Sequence, residues 1–433
     1  MPANPEDLAH LLRRCGYLTT PALLTQWSAL ELDQAVNRVM DFGANDLDTS
    51  FGFVTPPGDW QRLLQLRRWW LDRMAFQPAP LQEKLTFFWH GHFATSYSKV
   101  SNAELMLNQN RMFRRFAVGS FHDLAQAVSV DPAMIMFLDG QDNRKGSPNE
   151  NFSRESMELF TMGVNQGYTQ TDVAEVARAW TGHGVHWYGN NVAETYEFRP
   201  TWHDTGLKTI FGETKNWDGP DVIAAIVNGQ RQSVCARFIA RKLWSFFAYP
   251  NPDDGLLTAL ANAFVAAGMQ IGPLVRFMLL RPEFYSSTAK LGLVRTPVEF
   301  GVKLHQITGR SFTETDVDYT LGDMGQLVLE PPNVSGWKQN EFWITENTVW
   351  LKDEAVKRVA WRAINAGFLS DYASLTNAQL VQRILDLFAL SAVLASTRAA
   401  IEAWVSVHRG ANAGDLRYHL LRLVALTPEF GLA

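Results

Sequence analysis

Apolar residues recur at spacings of three and four along most of this sequence. That is the period of an amphipathic helix, and the runs are punctuated by helix-start chemistry. Segments 58–78, 80–90, 101–117 and 131–139 are the clearest in the first 145 residues, and 170–181 follows. Further runs cover 220–228, 231–247, 254–267, 272–280, 296–308, 346–366, 377–388, 395–407 and 414–426. Caps are predicted at Thr20 before Pro21, Ser28 with Glu31, Ser120 with Asp123 and Thr169 with Asp172. The period changes once. Between Gly182 and Trp202, aromatic and β-branched residues alternate with polar ones around Gly189, Asn190 and Asn191, the pattern of a β-hairpin. The expected fold class is therefore mainly α: a compact multi-helix protein with a small β-hairpin insertion around 183–202.

No low-complexity linker divides the chain, so one domain over 1–433 is expected. It would have a helical part at 1–145, a site region with the hairpin at 146–215 and a second helical part at 216–433. The loop 309–345 is the longest irregular excursion. FMLLRPEF at 277–284 echoes LVALTPEF at 423–430, an echo that shared helix-stop chemistry at proline explains without a repeat architecture.

One helix differs from the rest in its polar face. SPNENFSRESMELFTMG, from Ser147 to Gly163, opens with Ser147 as cap, Pro148 at the first position and Glu150 where a capping box places its acid. At about 100° per residue, Glu150, Asn151, Arg154, Glu155 and Glu158 fall within roughly 140° of arc. An i, i+4 ladder through Arg154 on a solvated face accounts for much of this stripe. The surplus of acid over base also fits a functional site, because crowded carboxylates raise one another's pKa unless a cation or metal compensates.

At 433 residues, 46% apolar and 19% charged, the chain is globular, and its net charge of −5 argues against general nucleic-acid or anionic-membrane binding. Arg67, Arg68, Arg73, Arg111, Arg114 and Arg115 are expected on the solvated sides of helices. Cys15 and Cys235 are the only cysteines, which excludes a disulfide framework and a thiolate metal knuckle and leaves buried, inert thiols. No run of 18 apolar residues occurs, so no membrane insertion is expected. The N-terminus lacks the apolar core of a secretion signal, so the expected compartment is the cytoplasm, or the periplasm if a partner carries the chain out.

Six of the ten histidines lie between positions 90 and 203. His90 and His92, in TFFWHGHFATS, would diverge by about 200° on a helix, whereas an extended or turning segment at Gly91 would let them converge on one ion. His203 and Asp204, in TWHDTGLKT with Lys208 close behind, form a polar turn just after the hairpin. The turn suits a ligand pair, an acid/base pair or an Asx-type turn. His183 and His186 are weaker candidates, since strand alternation sends them to opposite faces. If the acidic helix, His90, His92, His203 and Asp204 converge, the set has the donor composition of a divalent-metal site able to activate water. HExxH, a Gly-rich phosphate loop, GxSxG and paired Glu-x-x-His elements are all absent. A last cluster, LEPPNVSGWKQNEFWI from Leu329 to Ile344, carries Trp337 and Trp343 on a proline-stiffened loop that suits either stacking on a sugar or partner, or plugging of the core.

Taken in order, HLLRRCGY, FWHGHFATS, DPAMIMFLDG, PNENFSRESMELFTMGV, YTQTDVAEVARAWTG, HDTGLKT, RKLWSFF and PPNVSGW resemble the bacterial family called domain of unknown function 1800. Its pattern, similar to WHxHF, NENxxRExxELFTxG and HDxGxK, falls on His90, His92, Glu150, Asn151, Arg154, Glu155, Glu158, His203, Asp204 and Lys208. Ser156 and Met162 depart from the aliphatic residues more usual there. The resemblance implies no reaction. It implies exported relatives, often encoded beside a sulfatase-like family, and hence a companion protein of that kind as a partner.

Two functions follow. One is a metal-dependent or acid/base hydrolase in which His90, His92 and His203 hold a divalent metal and Glu155, Glu158, Asp204 and Lys208 do the chemistry, with Glu150, Asn151 and Arg154 orienting them. The other is a non-catalytic escort or binding module that holds a glycan or the sulfatase-like companion through Trp337 and its loop.

Overall fold

The computed structural model describes residues 2–17, 19–43, 51–54, 58–188, 192–390 and 393–433. Helices run from Pro5–Cys15 to Pro428–Gly431, and among the described residues the only sheets are two antiparallel pairs. β1 (His183–Tyr188) pairs with β2 (Val192–Phe198), with His183 opposite Phe198 and a shift of register after His186. The expected turn residues Gly189, Asn190 and Asn191 lie outside the described residues. β3 (Lys208–Ile210) pairs with β4 (Glu213–Lys215), a ladder whose three-residue strands are too short to register as a periodic signal. No described helix is long and apolar enough to cross a membrane.

Three of the expected caps hold. Thr20, Ser120 and Thr169 each accept a backbone N–H from the third residue on. Two do not. Ser28 closes the helix Pro21–Trp27, and Glu31 itself caps Leu32–Val39 by exchanging hydrogen bonds with Gln34. The acidic helix starts at Asn151, not after Ser147, because Ser147 is bridged to Arg144 and Asn149 bonds the N–H of Asn151. The 309–345 excursion is also less irregular than expected, since it holds helices Phe312–Thr315 and Val317–Asp323 and a 3-10 turn, Asn340–Trp343.

Buried apolar side chains form two clusters. One joins the first helix to residues 113–285, and the other joins 63–107 to 298–430. The helix Pro80–His92 belongs to both: Phe88 and Trp89 enter the first and Phe87 the second. It is buried nearly all round, so its placement is fixed by contacts on every side.

Its polar residues are fixed too. Glu83, 1% exposed, accepts Arg73 Nε at 2.6 Å from the helix Asp59–Phe76, and Arg114 Nε at 2.6 Å and Nη2 at 2.9 Å from the helix Ala103–Arg115. Trp70 Nε1 donates to it at 3.1 Å. The expectation that the arginines line solvated faces is thus corrected for Arg67, Arg73 and Arg114, which are buried; Arg115 is exposed. The buried guanidiniums find acids or carbonyls across helices, a compensation that no single helix pattern encodes. Both thiols are buried and free, and burial pushes that of Cys15 up to about 12.

Candidate functional site

The histidines of WHGHF sit in the last turn of the 80–92 helix, so they diverge. His90 is buried, and its Nε2 accepts the Leu329 N–H at 3.1 Å; the ring lies against Trp70 and Trp337. Burial lowers its pKa to about 3. His92 turns the other way. Its Nε2–H donates to the Phe160 carbonyl at 2.9 Å, just beyond the acidic helix, and burial, reinforced by the nearby Lys242 cation, holds the ring neutral. With Nε2 protonated, Nδ1 carries the lone pair, and that buried atom makes no hydrogen bond among the described residues.

The acidic stripe is largely spent on itself. Arg154 binds Glu150 at 3.0 Å and Glu158 at 3.3 Å, and Gln170 closes the ring by accepting from Arg154 and donating to Glu150. Side-chain exposures of 37% for Arg154 and 40% for Glu150 place this ladder at the surface, where such pairs contribute little stability. Asn151 reaches Asp139 at 3.3 Å. Glu155 differs: no hydrogen bond or ion pair to its carboxylate is seen among the described residues, and burial followed by the Glu158 charge raises its pKa against the opposing charge of Arg154.

The HDTGLK turn is equally self-contained. His203 Nδ1–H donates to the Thr181 carbonyl at 2.8 Å. Asp204 takes Arg178 at 2.9 and 3.3 Å and the Gly206 N–H at 2.9 Å; hydrogen bonding from Arg178, foremost, lowers its pKa to about 2. Lys208, 1% exposed, donates to the carbonyls of Asp204, Gly206 and Trp217 at 2.6, 3.1 and 2.8 Å, which pins the turn to the segment after β4. Gln170 and Arg178 stand at opposite ends of the helix Gln170–Ala179, so the ladder and the turn are about 12 Å apart along its axis. His90, His92, His203 and the acids therefore do not meet around one point. Among the described residues no three His, Cys, Asp or Glu side chains form a metal-binding group.

Two of the expected residues do meet. His92 and Trp337 line a cleft of about 80 Å³ between the 80–92 helix, the helix Gln232–Phe247 and the 331–343 loop. Trp337 stacks on Phe87 at 5.6 Å, and its buried Nε1–H has no acceptor among the described residues. Trp343, by contrast, fills the core, with its Nε1–H on the Lys338 carbonyl. From the opposite wall comes Lys242, whose ammonium has no carboxylate partner among the described residues and whose pKa burial lowers to about 8. Lys338 lines the rim. Sequence reasoning missed Lys242; the signal was its place in RKLWSFF, where the neighbouring apolar residues are buried.

The loop reaches the helix through two glycines. Gly336, at φ +75°, lies so near that a Cβ on it would stand 2.1 Å from the Gly91 carbonyl oxygen, whereas a Cβ on Gly91 meets only the Trp337 ring at 3.7 Å. Opposite outcomes are expected. Gly336→Ala costs about 2 kcal/mol or more through the left-handed backbone and the collision, while Gly91→Ala gains about 0.5–1 kcal/mol from helix propensity. Urea unfolding of both variants checks this; equal effects would mean the loop is not seated on the helix.

No similar protein was found among curated sequences, and none among solved structures. A family model does match: the one described as Protein of unknown function (DUF1800) covers residues 10–432. The motifs that build the ladder, the turn and the cleft all lie inside that span, and the chain belongs to this family.

Proposed function

We propose that the chain is a single-unit binding module whose ligand occupies the His92–Trp337–Lys242 cleft, and that the ligand is a hydroxylated carboxylate of the acidic-sugar class. One observation carries this reading. Two residues that line one cleft each hold a buried ring nitrogen with no hydrogen-bond partner among the described residues, the acceptor Nδ1 of His92 and the donor Nε1–H of Trp337, beside a lysine without a counter-ion there. Buried polar atoms are normally satisfied, so an unpaired set of this kind matches a ligand that supplies hydroxyls and an anion. The Trp337 ring, braced by stacking on Phe87, suits the apolar face of a sugar ring.

Calorimetry with glucuronate and galacturonate oligomers tests it. Saturable binding is expected, weakened at least about tenfold by Lys242→Met and by Trp337→Phe and unchanged by Glu155→Gln and Glu158→Gln. The hydrolytic reading rests on the unpaired, raised carboxyl of Glu155. It predicts the reverse, turnover abolished by Glu155→Gln. Escort of a sulfatase-like companion draws support from a different surface, where Phe342, Ile344, Val349 and Trp350 are all about half exposed or more. That reading wins if Trp350→Ser removes a co-purifying partner while the cleft binds no sugar acid.

A further inference from the structure

A second pocket, separate from the cleft and independent of its assignment, opens between the helix Pro5–Cys15, the helix Pro297–Thr308 and the C-terminal turn. It measures about 180 Å³, and Arg13, Lys303 and Lys290 line it together with Glu6 and Glu429. The charges are unevenly matched. Lys290 is held by Asp7 at 2.7 Å and Glu6 at 3.5 Å. Lys303 is 1% exposed, and its one described partner is the ring of Phe430, 4.3 Å away. Arg13 makes no hydrogen bond or ion pair among the described residues, and its Nε is buried. Behind them Arg295, fully buried, uses Nη1 on the Tyr17 carbonyl and leaves Nε and Nη2 unpartnered.

Glu299 is the nearby acid, and it is shared: Lys84 binds it at 3.0 Å, and the charges of Arg14 and Arg295 also lean on it. Burial together with the charges of Arg295 and Arg13 pushes the Lys303 amine well below its ordinary range, so without an anion the lysine is driven to its neutral form beside cations that keep their charge. Glu429 brings one negative charge to the lining, and its Oε1 accepts the Leu394 N–H. Its buried Oε2 has no donor, which suits a protonated hydroxyl on whatever enters. A buried cation is stable when an anion joins it and costly when none does.

We propose that this pocket binds a small ligand bearing a phosphate-type oxyanion, gripped by Lys303 and Arg13, with a hydroxyl of the ligand donated to Glu429. An arginine and a lysine from the two flanking helices match a tetrahedral oxyanion, the guanidinium by its fork and the ammonium as a point charge. The free and esterified forms share this chemistry, and the probes separate them: inorganic phosphate, pyrophosphate and glycerol phosphate, each titrated into the full chain at constant ionic strength against chloride.

Saturable binding of at least one of these is expected, with a rise in thermal midpoint that follows ligand concentration. Preference for glycerol phosphate over inorganic phosphate would assign an ester and engage Glu429. Lys303→Met and Arg13→Gln are each expected to weaken binding about tenfold or more. Lys303→Met keeps the side-chain volume and removes a buried unpaired amine, so the variant folds and its unliganded midpoint does not fall. Lack of saturable binding by all three probes, or binding unchanged in both variants, would overturn the proposal.

Discussion

Replacing Glu83 with leucine is expected to remove about 3–5 kcal/mol of stability, because it takes away the carboxylate that offsets the desolvation of two buried guanidiniums. Arg73 and Arg114 are 4% and 0% exposed, and both point their Nε at the same Glu83 oxygen at 2.6 Å. The residue ties the helices Asp59–Phe76 and Ala103–Arg115 to the helix that carries His90 and His92, so the loss also reaches the cleft. Urea unfolding at neutral pH measures the change. Converting all three charges to apolar residues of similar volume should restore much of it, since a filled apolar site needs no counter-ion. A single-variant loss below about 1 kcal/mol would mean that the guanidiniums are solvated.

Stability should also fall steeply between pH 7 and 5. Burial lowers His10 to about 2, His90 to about 3, and His183 and His305 to about 4, and it holds His92 well below its ordinary value. In the unfolded chain each imidazole takes up a proton as the pH drops through about 6.5, whereas in the folded chain it stays neutral, so acid favours unfolding. Raised carboxyls act in the opposite sense, foremost Asp131 and Asp72. Burial raises Asp131 to about 7 and Asp72 to about 6, so the folded state binds their protons first and gains stability as the pH falls towards about 4. Each of the five histidines costs about 2 kcal/mol over this interval, and these two aspartates return about 4 kcal/mol between them, a net loss of about 6 kcal/mol. Urea midpoints at pH 7 and pH 5 check the sign and the size. A midpoint that is unchanged or higher at pH 5 would show that these imidazoles are not held neutral.

Most helices were legible because their apolar period and capping residues act locally. The 80–92 segment, for instance, needs only its own residues to start at Pro80. The second ladder was not, since a three-residue strand such as Lys208–Ile210 is defined by its partner and not by its own alternation. The site was legible as a set of positions but not as a geometry. Glu150, Arg154 and Glu158 share a face as their spacing requires, yet whether that face is a pocket depends on what packs over it, and Gln170 closes it as a surface ladder. His90 and His92 were open between two arrangements until helix continuation through Gly91 sent them apart to Leu329 and Phe160. Lys242 and Lys303 escaped notice because a lysine in a helix reads as solvated. In the helix Pro297–Thr308, Lys303 shares a polar face with Glu299 and Gln306, and only the packing of other elements over that face buries it.

The central claim is that the cleft walled by Trp337 receives a ligand that its unpaired ring nitrogens await. The most direct measurement is the indole N–H resonance of Trp337, identified by its loss in Trp337→Phe and followed by ¹H–¹⁵N correlation during titration with a uronate oligomer. The expected result is a saturable shift of that resonance, with Lys242→Met moving the curve to higher ligand concentration. Saturable shifts confined to other tryptophans, with Trp337 unmoved, would contradict it.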